Sequence, residues 1–230
     1  MCRRQGVLYS SRTRRRRANA GARTVKEVAA RAVGYQELLV ASRRIDWRFL
    51  LSDPELGDVG CSVETDAALQ RSCRLFARSL ALLEAKGGEL DPESLDVIVL
   101  VDPEPETLIR ALALLRPGGW VYVEVNGVLT RRGRRSRRPR FAFDYVAELR
   151  RLGFDEIESQ WHWPDFDSCT QMLPLGDLRV IRSALIRRQE SRGRSPQVSL
   201  ARLLLAGRLL PFAVTHASVI GRRPTDIGRT

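Results

Sequence analysis

The sequence predicts an α/β fold: a mostly parallel sheet with helices on both faces, truncated along one edge and closed by a C-terminal antiparallel strand. Three observations predict it. Leu95–Val101 (LDVIVLV) is an apolar run broken only by Asp96. It is rich in Val and Ile and too short for a helix, as expected of a strand covered on both faces. Asp102-Pro103 ends that run, and Glu104 and Glu106 stand where acids favour a helix N-terminus, ahead of Leu108, Leu112 and Leu115 at helical spacing. Pro117-Gly118-Gly119 then stops the helix, and Trp120–Val125 makes a second apolar strand. Strand, helix and strand with short joints require a right-handed crossover between parallel strands. Ligands of such sheets dock beyond the carboxyl ends of the strands, here near Asp102 and Asn126.

The other elements follow in order. Residues 1–24 lack apolar periodicity and are expected to be disordered, and residues 25–223 are expected to form one domain. Val25–Leu39 predicts a helix, and Ile45–Leu51 is a short apolar segment closed by Ser52-Asp53-Pro54. Asp58–Val63 reads as the first core strand, Asp66 as the cap of a helix over Ala67–Ala77, and Ser79–Glu84 as the second strand. After an arginine-rich stretch, Phe141–Leu152 is helical and Gly153 stops it. Phe154–Trp163 is a strand ended by Pro164. Residues 165–210 are expected to be a helical insertion, with helices over Leu178–Arg188 and Leu200–Leu209. Pro211–Arg222 is the last strand, before a polar tail at 224–230.

Charge is concentrated rather than general. Residues 1–24 hold eight arginines, residues 131–140 (RRGRRSRRPR) hold seven, and neither stretch contains an acid. Those two stretches outnumber the whole net charge of +12, so the rest of the chain is slightly acidic. Only Lys26 and Lys86 are lysines, a skew that coding bias explains as readily as phosphate chemistry. No run reaches the length of uncharged apolar residues that a membrane span needs, and no secretory leader is evident. The four cysteines (Cys2, Cys61, Cys73, Cys169) lack CxxC spacing, so neither a metal site nor a disulfide framework is expected and a reducing cytoplasm is the expected setting.

The string LRPGGWVYVEV, preceded by a strand ending in Asp-Pro, resembles the fourth strand, helix and fifth strand of class I S-adenosylmethionine-dependent methyltransferases. The resemblance extends from about Trp47 to Arg223. It implies a Rossmann-like sheet, S-adenosylmethionine as cofactor, and methyl transfer to a small or lipid-linked polar acceptor. It further implies cofactor-binding roles for Gly60, Cys61 and Ser62 toward the end of the first strand, for Glu84 at the ribose, and for Asp102 with Pro103 at the end of the fourth-strand equivalent. Two departures stand out. Cys61-Ser62-Val63-Glu64-Thr65 replaces the family's Gly-x-Gly-x-Gly, which lets the backbone approach the cofactor. The stretch from Glu84 to Leu95, with Gly87-Gly88 and Asp91-Pro92, has no room for a helix, a third strand and another helix. Both leave open a non-catalytic relative that kept the sheet and lost the donor.

The remaining candidates face the acceptor. Trp161-His162-Trp163 suits a pocket wall at a strand end, with His162 as a general base at neutral pH; the alternative is a partly buried structural histidine. Asp102 is a catalytic candidate, with a plain helix cap as its alternative. Asn126 shares the rim. Arg134 and Arg135, in the arginine stretch, are placed to clamp a phosphate-bearing acceptor or an anionic membrane surface, against a solvated loop. Nucleic acid is the weaker partner, because that stretch has no aromatics interleaved for base stacking.

Overall fold

The computed structural model describes residues 34–62, 64–83, 90–126, 141–192, 196–207 and 209–225. The 1–24 tail, most of the 25–39 helix, Val63, Glu84, and the arginine stretch with Arg134 and Arg135 lie outside the described residues. Two compact units divide at Val40 and Ala41. The described part of the first is the opening of helix α1 (Tyr35–Arg44).

The larger unit is an α/β fold on one seven-stranded sheet. Its strands are β1 (Asp58–Ser62), β2 (Ser79–Leu83), β3 (Leu95–Val101), β4 (Leu115–Asn126), β5 (Asp155–Trp163), β6 (Gln171–Pro174) and β7 (His216–Arg222), in the spatial order β2-β1-β3-β4-β7-β5-β6. The first four pair in parallel, and β7 lies antiparallel between β4 and β5. The expected central pair is therefore adjacent and co-directional, with Ile98 opposite Val121 and Leu100 opposite Val123. Among the described residues β2 is one edge of the sheet, and β6 forms the other.

Helices cover both faces because alternate strand residues are apolar on both sides. On one face Val59, Cys61, Val97, Val99 and Tyr122 pack under Leu69 and Cys73 of α2 (Ala67–Phe76) and under Trp47 of the 3-10 turn Asp46–Leu50. Trp47 stacks on Tyr122 with centroids 4.1 Å apart. On the other face Ile98, Leu100, Val121 and Val123 pack under α3 (Pro105–Leu114), α4 (Ala142–Arg151), α5 (Leu178–Arg192) and α6 (Pro196–Ala206), with Leu210 of the short α7 (Leu210–Ala213).

Several boundaries differ from the sequence expectation, each for a local reason. Leu115-Arg116-Pro117-Gly118-Gly119 does not terminate α3; it opens β4, which pairs Leu115 with Leu95 before an irregularity restores register at Val97. Gly119 sits where a Cβ would lie 2.9 Å from the Asp96 carbonyl oxygen, so the two backbones meet only because the side chain is absent. The 165–210 segment is not wholly helical: Gln171–Pro174 pairs antiparallel with β5, Trp161 opposite Leu173. The last strand begins at His216 rather than Pro211, because Leu210–Ala213 closes a helical turn first. At the amino ends of the strands, Arg78 and Arg116 bridge Asp58 and Asp96, tying β1 to β3.

Candidate functional site

The chain leaves β1 toward β2 on one side and returns through β3 on the other, so the strand order reverses between β1 and β3. Their carboxyl ends, with that of β4, form the rim where open parallel sheets take ligands. Asp102 follows β3 directly in a left-handed backbone conformation (φ 44°), an uncommon one for a residue with a Cβ. It is held there from three sides. Its amide donates to the Glu124 carbonyl (2.9 Å), and its carboxylate accepts from the Asn126 amide (3.1 Å) and Asn126 Nδ2 (3.2 Å). The helix cap foreseen for Asp102 falls instead to Glu104, whose side chain makes no capping bond. Pro103 is buried, and its carbonyl accepts from Tyr145 Oη of α4 (3.3 Å). The structure thus brings Asp102, Pro103 and Asn126 together.

The turn after β1 is built differently from a glycine cradle. Ser62 and Thr65 are buried, their hydroxyls 3.2 Å apart, and the Thr65 amide donates to the Ser62 carbonyl (3.0 Å). Asp66 caps α2 through the Leu69 amide (2.7 Å), as its sequence position predicts. Gly60 is required by packing: an added Cβ would lie 2.6 Å from Leu95 Cδ1 and 3.1 Å from Leu83 Cδ2. Cys61 is fully buried, pointing into the core.

Strand alternation separates the Trp-His-Trp string. Trp161 packs in the core of the helix-rich face, edge-on to Trp163 (4.7 Å), over which Arg188 lies at 4.9 Å. His162 points to the opposite face. The three side chains therefore do not line one pocket. His162 is buried, with Nε2 2.8 Å from Ser218 Oγ. Burial first, then Arg44 and His216, push its pKa down to about 3, so the ring is neutral and weakly basic at pH 7.

That face carries a buried polar chain not foreseen from sequence. Arg44 makes a two-pronged contact with Glu124 (Nη1–Oε1 2.5 Å, Nη2–Oε2 2.9 Å) and reaches Asp66 (2.8 Å). Its Nε lies 3.0 Å from Asp167 Oδ1 without hydrogen-bond alignment, and its guanidinium lies over Phe166. Tyr122 Oη donates to Glu124 (3.2 Å), and on the same face the buried Ser218 meets His162. Burial pushes the Glu124 carboxyl up while Arg44 pulls it back; the fork holds Arg44 firmly protonated. The only sequence sign was an acid within an apolar strand, since Arg44 and Glu124 are 80 residues apart.

A separate cleft of about 500 Å³ lies between α4 and the middle of β5, lined by Phe143, Val146, Arg150, Ile157, Leu175 and Asp177 among others. Among the described residues no group of three metal-ligating side chains converges, and no helix is long and apolar enough to cross a membrane.

No protein-family model matches the sequence, and no curated protein matches it. Solved structures do resemble it in chain trace. A SAM-dependent methyltransferase from Thermotoga maritima is 16% identical with a TM-score of 0.46, covering 88% of this chain and 97% of its own. One from Archaeoglobus fulgidus is 11% identical with a TM-score of 0.45, covering 82% and 95%. Phosphoethanolamine N-methyltransferase 2 of Haemonchus contortus, solved with S-adenosyl-L-methionine, is 11% identical with a TM-score of 0.43, covering 82% of this chain and 57% of its own. The chain itself has the Rossmann-like α/β architecture, with the carboxyl ends of β1, β3 and β4 side by side along one rim of the sheet.

Proposed function

We propose that this chain is an S-adenosylmethionine-dependent methyltransferase that holds its donor at the β1–β3 switch point and acts on a small or lipid-linked polar acceptor. The observation that carries the reading is the Asp102–Asn126 clasp: a carboxylate and an amide, both partly exposed, locked together just beyond two adjacent parallel strands. Its chemistry fits a donor bearing a sulfonium and an ammonium, because a fixed carboxylate attracts both. Glu84, at the end of the β2 segment by sequence, is the ribose ligand that the family resemblance implies. When bound, the donor supplies an electrophilic methyl group. The protein's part is positioning: Asn126 and the Glu124 carbonyl keep Asp102 from turning away, and Tyr145 holds the Pro103 backbone beside it. His162 serves as a structural hydrogen-bonding partner of Ser218, and Trp161 and Trp163 brace the hairpin of β5 and β6.

One observation favours a second reading, a scaffold that has lost the donor. The β1–α2 turn is closed on itself, and the Asp66 carboxylate occupies the helix N-terminus that the carboxylate end of a donor would approach. Calorimetric titration with S-adenosylhomocysteine separates the two. Saturable 1:1 binding, weakened at least tenfold in Glu84→Ala and Asp102→Ala, supports the enzyme. Absence of heat at millimolar ligand overturns it and leaves the scaffold.

A further inference from the structure

We propose that the cleft between α4 and β5 binds a small zwitterion, an α-amino acid with a bulky apolar side chain. Phe143, Val146 and Arg150 recur at i, i+3 and i+7, so α4 turns one stripe of side chains into the cleft. Ile157 and Ser159 alternate along β5 and form its floor. Glu158 between them turns to the other face of the sheet, where Gln160 Nε2 donates to it (3.1 Å). The far wall is the turn from Pro174 to Asp177. The Asp177 amide closes that turn on the Pro174 carbonyl (3.2 Å), and the Leu175 amide holds it to the Ser159 carbonyl (2.8 Å). The enclosed space of about 500 Å³ lies within the roughly 300–1,000 Å³ of small-molecule sites.

The charges on the two walls select the ligand. Glu148 pairs with Arg151 (2.6 Å), and the Arg150 guanidinium has no ion pair among the described residues. On the facing wall Asp177 caps α5 through Oδ1 alone, which accepts from the Arg179 amide (2.9 Å) and the Val180 amide (3.2 Å). Its Oδ2 has no partner among the described residues. A guanidinium fork receives a carboxylate in two-pronged fashion, and a carboxylate oxygen receives an ammonium. Between these two groups lie half-buried Val146 and Ile157 and buried Leu175, against which an apolar side chain can run toward Phe143. Both charged side chains are exposed, so neither contact holds a ligand by itself, and the apolar body must supply the rest. One molecule carrying a carboxylate, an ammonium and an apolar side chain meets all three. The site does not depend on the reading of the β1–β3 rim.

The test is calorimetric titration of the full chain with L-phenylalanine, with hydrocinnamate, which lacks the ammonium, and with phenethylamine, which lacks the carboxylate. Saturable 1:1 binding of L-phenylalanine is expected, and each analogue should bind at least tenfold more weakly. Arg150→Gln should weaken L-phenylalanine at least tenfold and leave phenethylamine unchanged. Asp177→Asn, which keeps an oxygen for the α5 cap, should weaken L-phenylalanine likewise and leave hydrocinnamate unchanged. Unchanged urea midpoints show that both variants fold. Asp102→Ala should bind L-phenylalanine as the wild type does; loss of binding there would move the amino acid to the rim and overturn the cleft site. Absence of saturable heat at millimolar L-phenylalanine overturns the proposal, as does binding indifferent to both cleft substitutions. Hydrocinnamate binding as tightly as L-phenylalanine, with Asp177→Asn without effect, would assign the cleft to plain carboxylates and overturn the amino-acid reading.

Discussion

Burying Arg44 and Glu124 takes two charges out of water, and their fork must offset that desolvation. Such pairs add little net stability, but breaking one is costly because the survivor is left buried and alone. Arg44→Met is therefore expected to destabilise the fold by about 3–5 kcal/mol, and Arg44→Met/Glu124→Leu to recover most of the loss, in urea unfolding. His162 yields a pH prediction. Its folded pKa, about 3, lies below the ordinary 6.5. Below pH 6.5 the unfolded chain takes up a proton that the folded protein refuses, so stability falls as pH drops from 6.5 toward 3, by up to about 1.4 kcal/mol per unit. His216, lowered in the same direction, contributes to the same slope. His162→Gln keeps a partner for Ser218 without titrating, so its stability between pH 6 and pH 4 should decline less steeply than the wild type's. Parallel slopes would remove His162 as the cause.

Among the elements, β1 and β4 owe their positions to glycines, for different reasons. An added Cβ at Gly60 would press on the ends of the Leu95 and Leu83 side chains, which can shift. Gly60→Ala is expected to cost about 1–3 kcal/mol, partly restored by Leu95→Val in the same background. At Gly119 the obstacles are the Asp96 and Arg116 carbonyl oxygens, 2.9 and 3.0 Å away, and backbone cannot rotate aside. Gly119→Ala should exceed Gly60→Ala in chemical denaturation and resist rescue by any side-chain change. If the Gly60→Ala loss persists undiminished beside Leu95→Val, packing is not the reason for that glycine.

For the whole molecule, ligand at the β1–β3 rim would stabilise every element joined through the sheet. At a concentration 100 times its Kd, S-adenosylhomocysteine should add about 2.7 kcal/mol, a rise in Tm of roughly 5–10 °C for a chain of this size. Asp102→Ala, binding at least tenfold more weakly, should cut that rise to about half or less at the same ligand concentration. A rise retained by the variant would place the ligand elsewhere, with the cleft along α4 and β5 the next site to examine.

The strands, the crossover and the Asp66 cap were legible in the chain because each depends on neighbours a few residues apart: apolar runs, helical spacing, a capping side chain. Asp102 and Asn126 were legible as rim residues for the same reason, since both end adjacent strands of one crossover. Other features depended on distant partners. The splitting of Trp161 and Trp163 from His162 followed from which face β5 turned toward the core, and that was decided by pairing with β6 and β7. Gln171–Pro174 is too short to announce itself and became a strand only because β5 offered an open edge. The joining of Arg44, Glu124, Ser218 and His162 needed four segments far apart in sequence to converge on one sheet face. Local order comes from short-range sterics and periodicity, which a sequence displays; burial and charge pairing come from long-range packing, which only the folded chain determines.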